Sequence, residues 1–516
     1  MKRLFKFFAV AAIIAVGFTG CSSETPIDDD PQNGSIIGSD EEDGELTYAS
    51  FRFSASSAGA TRSVDAAGGE TTLALTEYRV LIYRGDNTLE IDTAIAIAGD
   101  SMLTIPVYSG SKKLFVIANG GTTTAILSVP AKGTTTLNTY AGLNNAFVLT
   151  TGSPNPTDFS SHTLLYGTNG SKFIFSSDVK TATKDFKPGI SAAESKVPGS
   201  DNFFNVGLDR LVARVAVTKT DPSKPTGSTA TAGIIVQDST GRIDPATVQY
   251  HLWNINKAVY PFQNYNASNV LVTPYGDAAS PFESYYLRNQ GEGSSNNYIA
   301  IATRGANPPA TSAYRYVTEN VPTTAYGGNT TYAEVEAVFL PVVGKYVDAV
   351  IGYNEATSTF SPVKATADQT TATDLYKFIQ AGVLGLEPGT ILGGSSALLL
   401  AKKVVYHLVN PSTPPKTNLS DYTSLVADAD VLTYFDKYTG GKSYYRLNFG
   451  EQNGQYINYG IKRNYYYDAN ITGFNTIGAN EPGDLLEDGT PLGGITNITV
   501  HIIIRDWTGK EMNVII

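Results

Sequence analysis

Along this chain apolar residues recur at alternate positions or in short runs, and clusters of Gly, Asn, Asp, Ser and Pro separate them. That is the signature of β-strands joined by turns. Residues 46–53 predict a first strand, with Leu46, Tyr48, Phe51 and Phe53 as its larger apolar groups. Further strands are predicted at 78–83, 102–107, 113–118, 172–175, 208–219, 233–237, 247–253, 333–340, 346–351, 398–408, 443–449 and 465–471. Within 208–219, Leu211, Ala213, Val215 and Val217 share one face, as a half-buried strand requires. Tyr465, Tyr467, Ala469 and Ile471 do the same. One helix is predicted at 374–381, where Leu375, Phe378 and Ile379 form an apolar stripe behind a capping Thr373. Strands punctuated this way give antiparallel sandwiches rather than βαβ units. No internal repeat is visible, which sets aside solenoids and propellers.

The alternation is most regular at the C-terminus. Ile498, Val500, Ile502 and Ile504 occupy every second position, with Thr499, His501 and Ile503 between them. After Trp507 it resumes as Met512, Val514 and Ile516. Left exposed, such a strand is a template for aggregation. Either it is the last strand of its own domain, or part of it completes a sheet in a neighbouring molecule by strand addition. Burying each such side chain contributes roughly 1.5–3 kcal/mol, offset in part by the ordering that association requires. The preceding segment, 481–494, is rich in Gly and Pro and has the composition of an arm that reaches outward.

The N-terminus has its own pattern. Lys2, Arg3 and Lys6 precede an apolar run over 7–18 that is too short to anchor a membrane span and the right length for an export signal. Phe18-Thr19-Gly20-Cys21 reads as a lipobox with Cys21 as the acylated residue, although Phe18 is bulky for its place. The alternative is an ordinary signal peptide with an incidental cysteine. Residues 22–45 carry nine Asp/Glu and no Lys or Arg, a solvated tether. Arg62 then sits in a small-residue stretch, 58–69, of the kind proteases cut. A cut there would make Ser63 the new N-terminus and detach the 46–53 strand. If that strand is paired in the folded chain, an open groove is left behind.

Composition narrows the picture. Cys21 is the only cysteine in 516 residues, so the fold rests on hydrophobic cores and not on disulfides. The length implies two or more domains, and a Pro/Gly/Ser-rich joint at 221–229 is the candidate boundary. With 31 Tyr and 22 Phe against 3 Met, the chain reads as β-rich and exported. Its net charge of −11 and lack of any basic stripe set aside nucleic acid as a partner. Removing residues 1–62 would bring the charge to −7.

No catalytic constellation emerges. His162, His251, His407 and His501 have no partner at metal or triad spacing, and His407 and His501 fall in strand-like runs. Gly441-Lys442-Ser443 lacks the first glycine of a phosphate-binding loop, since Asp436 stands there, and reads as a hairpin turn. Asp428-Ala429-Asp430 lacks the other ligands of a calcium loop. The expectation is a non-enzyme without metal or cofactor.

Taken in order along the chain, several landmarks carry a resemblance. They are the lipobox, strand and Arg62 series; Leu208-Asp-Arg-Leu-Val-Ala-Arg-Val215; Gly441-Lys-Ser-Tyr-Tyr-Arg-Leu-Asn448; Arg463-Asn-Tyr-Tyr-Tyr-Asp-Ala-Asn-Ile471; and the closing strand from Ile498 that runs into Trp507. Together they resemble the Bacteroidales fimbrillins, the subunits of type V pili, and above all the major subunits of the short (minor) fimbriae of Porphyromonas. The resemblance implies a mainly β fold: two tandem transthyretin-like antiparallel β-sandwich domains, few short helices and a C-terminal donor-type strand. It divides the chain into a lipoprotein signal peptide (1–20), an acidic tether with propeptide strand (21–62), two sandwich domains (63–221 and 222–494) and a tail for strand exchange (495–516). It implies lipidation of Cys21, delivery to the outer membrane, and cleavage between Arg62 and Ser63 by an arginine-specific protease. A homopolymeric cell-surface fimbrium would then form by donor-strand exchange. Ile498, Val500, Ile502, Ile504, Trp507, Met512, Val514 and Ile516 are its donor candidates, and Leu46, Tyr48, Phe51 and Phe53 form the strand removed. Adhesion to host or bacterial receptors would follow. The rival expectations are a surface lipoprotein that binds glycan or host protein without polymerising, and a tip or anchor accessory subunit.

Overall fold

A computed structural model describes residues 44–55, 75, 77–96, 102–119, 149–150, 173–220, 233–276, 286–287, 298–301, 314–380, 384–453, 456–483, 485–493, 498–506 and 511–513. The first sheet comprises β1 (Leu46–Ala55), β2 (Glu77–Tyr83), β3 (Leu89–Ala96), β4 (Met102–Tyr108), β5 (Gly110–Ala118), β6 (Phe175–Ser177), β7 (Thr183–Phe186) and β8 (Phe203–Arg210). Its order is β3-β2-β5-β6-β8-β1-β4, with β7 also on β5. Only β1 and β8 run parallel; the other pairs are antiparallel. Although β1 and β2 lie far apart on that path, Phe53 stacks on Tyr78 with ring centroids 4.4 Å apart. The sheet therefore curls until its two arms face each other. Val80, Leu81 and Phe115 from one arm share a core with Ala49, Phe51 and Val206 from the other.

Leu211 alone separates β8 from β9 (Val212–Lys219), and here the chain passes from one sheet to another. The single strand expected at 208–219 is thus two strands. Beyond it come β10 (Gly241–Trp253), β11 (Tyr314–Thr318), β12 (Tyr332–Pro341), β13 (Tyr346–Asn354), β14 (Thr359–Lys364), β15 (Leu375–Phe378), β16 (Ile391–Leu392), α1 (Ala397–Val409), β17 (Phe435–Tyr438), β18 (Lys442–Asn448), β19 (Tyr465–Phe474), β20 (Ile498–Asp506) and β21 (Glu511–Asn513). One sheet runs β11-β9-β19-β20-β21. A second joins β10, β12 and β18, with Ile234–Ile235 and Ile299–Ala300 added on β10. Val215, Val217, Ile502 and Ile504 of the first meet Tyr250, Val335 and Tyr445 of the second in one core, a sandwich packed face to face. The protein is mainly β.

A third core lies under the sheet β14-β13-β16-β15-β17, which α1 covers. Two expectations fail here. Residues 375–378, within the expected helix, are the strand β15, with Leu375, Tyr376 and Phe378 all buried between β16 and β17. Residues 397–409, expected as a strand, are the helix α1. Its buried Ala397, Leu400, Ala401, Val404 and Val405 recur at the 3.6-residue period of a helix face. Both are short apolar runs, in which periodicity does not separate the two states.

The Gly-Lys-Ser segment is not a hairpin either. Gly440 and Gly441 adopt φ of 59° and 71° in a tight turn that carries the chain from β17 to β18, which belong to different sheets. A Cβ on Gly441 would come within 2.8 Å of the Phe339 carbonyl oxygen, so glycine is required there.

Candidate assembly site: the seat of the first strand and the C-terminal strands

β1 is an interior strand. Residues 46–52 pair antiparallel with β4 over Leu46–Tyr108 to Arg52–Met102, and residues 50–55 pair parallel with β8. Before that parallel pairing begins, its second side is walled by the segment from Lys187 to Asn202. The Tyr48 amide donates to Ile190 O at 3.0 Å, and the Ser50 amide to Asn202 O at 2.9 Å. The inward face is Thr47, Ala49 and Phe51, all essentially inaccessible to solvent, followed by half-buried Phe53. Phe51 meets Phe186 and Phe204 with ring centroids 6.3 and 5.8 Å apart. Leu46, one of the larger apolar groups of the strand, is 38% exposed and lies on the other face with Tyr48.

Polar groups line the same seat. Thr47 Oγ1 donates to Ile190 O (3.1 Å) and accepts from Ile190 N (3.0 Å) and Asn202 Nδ2 (3.2 Å). Asn202 Nδ2 also donates to the carbonyls of Tyr48 (3.0 Å) and Lys187 (2.9 Å), while its Oδ1 accepts from Lys187 N (2.8 Å). On the opposite face the Ser50 hydroxyl bonds the hydroxyls of Thr104 (2.8 Å) and Ser195 (2.9 Å). Sequence reasoning missed Ile190, Ser195 and Asn202. The only trace they leave is a Thr and a Ser among the first five residues of the strand.

At the other end, β20 lies between β19 and β21. It pairs antiparallel with β19 from Phe474–Ile498 to Tyr465–Asp506. The alternation read from the sequence has a direct outcome: Ile498, Val500, Ile502 and Ile504 are buried in their own sandwich core. Among the described residues β21, which contains Met512, ends that sheet and pairs only with β20. Trp507, Val514 and Ile516 lie outside the described residues, as do Cys21, Arg62, Ser63 and His162.

The described part of the segment before β20, up to residue 493, does not reach outward as its composition suggested. It is strapped across the body by main-chain hydrogen bonds: Tyr444 and Ala479 exchange two, Gly327 and Gly328 donate to Thr490 and Asp488, and Leu492 donates to Ala325. Gly483, at φ 88°, passes so close to Trp253 that a Cβ would fall 2.7 Å from the indole. Its amide donates to the buried Glu334 carboxylate, which also receives the Tyr298 hydroxyl (2.8 Å) and contacts His251 Nε2 (2.8 Å). Burial and the Glu334 charge push the Tyr298 hydroxyl far up, so it stays a donor at every relevant pH.

The other candidate groups are structural. His407 lies on α1 and not on a strand, buried against Tyr353 with rings 4.2 Å apart. Burial and neighbouring Lys403 lower its pKa and keep it neutral. Asp428 and Asp430 sit in a four-residue helix, where Asp428 pairs with Lys402 at 2.7 Å. Among the described residues no cluster of His, Cys, Asp and Glu could hold a metal ion.

Fold and site define a β-sandwich-type protein in which β1 and β20 are both interior strands of their sheets. Two family descriptions match the chain: the major fimbrial subunit protein (FimA) over residues 47–195, and the C-terminal part of fimbrillin, major fimbrial subunit protein type IV, over 436–513. Over these two stretches the chain is similar to the fimbrillins, a family of fimbrial structural subunits. No curated protein matches it. A fimbrilin from Porphyromonas gingivalis W83 is 15% identical with a TM-score of 0.40, over 92% of this chain and 99% of that one. A protein of Parabacteroides distasonis ATCC 8503 assigned to cell adhesion is 13% identical, with a TM-score of 0.42 over 90% and 99% of the two chains. A tip fimbrial protein from Porphyromonas gingivalis is 11% identical, with a TM-score of 0.35 over 90% and 99%.

Proposed function

We propose that this chain is a structural subunit of a cell-surface fimbria, assembled by exchange of β1 for a strand from another subunit. The observation that carries the reading is the position of β1. It is an interior strand with Ala49 and Phe51 fully buried, and it lies N-terminal to Arg62 with no other described strand before it. A cut after Arg62 frees it from the rest of the chain. Its departure leaves a groove between β4 on one side and the 187–202 wall and β8 on the other, with main-chain groups unpaired on both edges.

Export as a lipoprotein through Cys21 places the precursor at the outer membrane, and an arginine-specific protease converts it to the form that begins at Ser63. The entering strand comes from the C-terminal region of a second copy or a related subunit. Residues from Met512 to Ile516 are the candidate to leave, because among the described residues β21 pairs on one side only, whereas β20 fills its own core. Binding of host or bacterial receptors would be a property of the finished fibre.

Treating the purified full chain with an arginine-specific protease tests this. Cleavage after Arg62 should yield a ladder of oligomers that survives mild detergent, and Arg62→Ala should abolish it. A cleaved chain that stays monomeric overturns the reading.

A further inference from the structure

The apolar face of β1 fixes which side of the strand turns inward, but not its register. Inward positions repeat every two residues, so a slip by two keeps Thr47, Ala49, Phe51 and Phe53 on the inner side. Something else must distinguish those steps. We infer that Asn202, with the main chain of Ile190, sets the register of the strand in this seat by requiring a hydroxyl at the position of Thr47.

The geometry is specific. The Asn202 amide is held from behind by Lys187, whose N–H donates to Oδ1 (2.8 Å) and whose carbonyl accepts from Nδ2 (2.9 Å). It therefore cannot turn away to serve a different strand position. Ile190 offers one donor and one acceptor, and Thr47 Oγ1 satisfies both at 3.0 and 3.1 Å. Thr47 and Asn202 are 1% and 0% exposed, so water does not replace a lost partner. A slip by two brings Glu45 or Ala49 to the hydroxyl site. Alanine leaves the Ile190 amide unpaired in a dry place, and glutamate brings a charge there; each outcome is costly. The Ser50 hydroxyl, closing on Thr104 and Ser195, reinforces the same register from the other face.

For β1 the inference stands on the structure alone. Its extension to a replacing strand rests on the exchange proposed above.

The test uses the uncut full chain with Cys21→Ser, so its outcome is independent of cleavage and polymerisation. Cysteine pairs at Tyr48/Pro106 and Tyr48/Thr104 report the native register and the two-residue slip that brings Glu45 to the hydroxyl site, since Tyr48 faces Pro106 in the native register. The unaltered seat should crosslink only at 48/106. Thr47→Val and Asn202→Ala should each add the 48/104 product, and Thr47→Ser should remove it again. Hydrogen exchange of the Tyr48 and Ser50 amides should rise about tenfold or more in the two disruptive variants, while β2 and β5 keep their protection. If Thr47→Val does not fold, Asn202→Ala carries the same expectation. Crosslinking only at 48/106, with unchanged exchange, in both variants would overturn the inference.

Discussion

Asn464 donates its side-chain amide to the Asp209 carboxylate across 2.6 Å, and so joins the end of β8 to the turn that leads into β19. The Arg210 amide returns a bond to Asn464 Oδ1 at 3.3 Å. Asn464 holds φ at 60°, a conformation asparagine tolerates better than most residues. The pair therefore fastens two different sheets at the point where Leu211 lets the chain cross between them.

A pH dependence follows. Burial first, then the charge of Asp178, raises the Asp209 pKa from 3.8 to about 6. A carboxyl whose folded pKa is raised takes up a proton on folding, so its contribution favours the fold at low pH and is lost as pH rises through about 6. Asp209→Asn should stabilise the protein at pH 7 by roughly 1–3 kcal/mol, and the gain should shrink toward pH 4. Urea unfolding of the two proteins across that range checks it. A gain that is constant with pH would refute the assignment.

Close by, Arg463 is the largest fully buried side chain among the described residues, paired through Nε with Glu319 at 2.9 Å. Its Nη1 donates to Pro261 O at 2.9 Å and its Nη2 to Tyr260 O at 2.5 Å. Arg463→Ala strands an uncompensated Glu319 and should cost about 3–5 kcal/mol. Replacing both partners by apolar residues, Arg463→Met with Glu319→Leu, should recover much of that loss. Chemical denaturation of the single and double variants gives the comparison.

Much of this fold is legible in the sequence, for a physical reason. β2, β4, β5, β12, β18 and β19 are each bounded by turn residues and packed on at least one face, so composition and alternation report them directly. β15 and α1 exchange identities because each is a short, nearly continuous apolar run. Only the partner surface decides, a sheet centre for one and a sheet face for the other. The β8–β9 break is invisible because Leu211 is as apolar as Leu208 and Val212, and no cluster of turn residues marks it. The walls of the β1 seat are hidden for another reason: Thr47 meets Ile190 and Asn202 across 143 and 155 residues of chain. Nothing local in sequence marks such a contact.

Phe51 measures how far β1 is held by its apolar face. Its ring is inaccessible and meets Phe53, Phe186 and Phe204. Phe51→Ala should cost about 3–5 kcal/mol through lost burial and the cavity left behind. The variant should keep the native 48/106 register, because Thr47 and Asn202 are intact, while exchange protection falls along the whole of β1. A register slip in this variant would assign register to the aromatic face instead.

The two apolar runs at the C-terminus should respond oppositely to truncation and to core damage. Met512 lies on a terminal strand with one neighbour, whereas Ile502 is fully buried in an interior strand beside β19. Deleting residues 512–516 should leave the thermal midpoint of the uncut monomer nearly unchanged yet prevent the oligomer ladder after cleavage. Ile502→Ala should instead lower stability by about 2–5 kcal/mol through a core cavity, and it should still allow oligomers where enough folded protein remains. Calorimetry on the uncut chains and detergent-resistant gels on the cut ones separate the two effects. Normal fibres from the truncated chain would remove the tail from the assembly mechanism and leave β20, which would have to leave its own core to act, as the remaining donor.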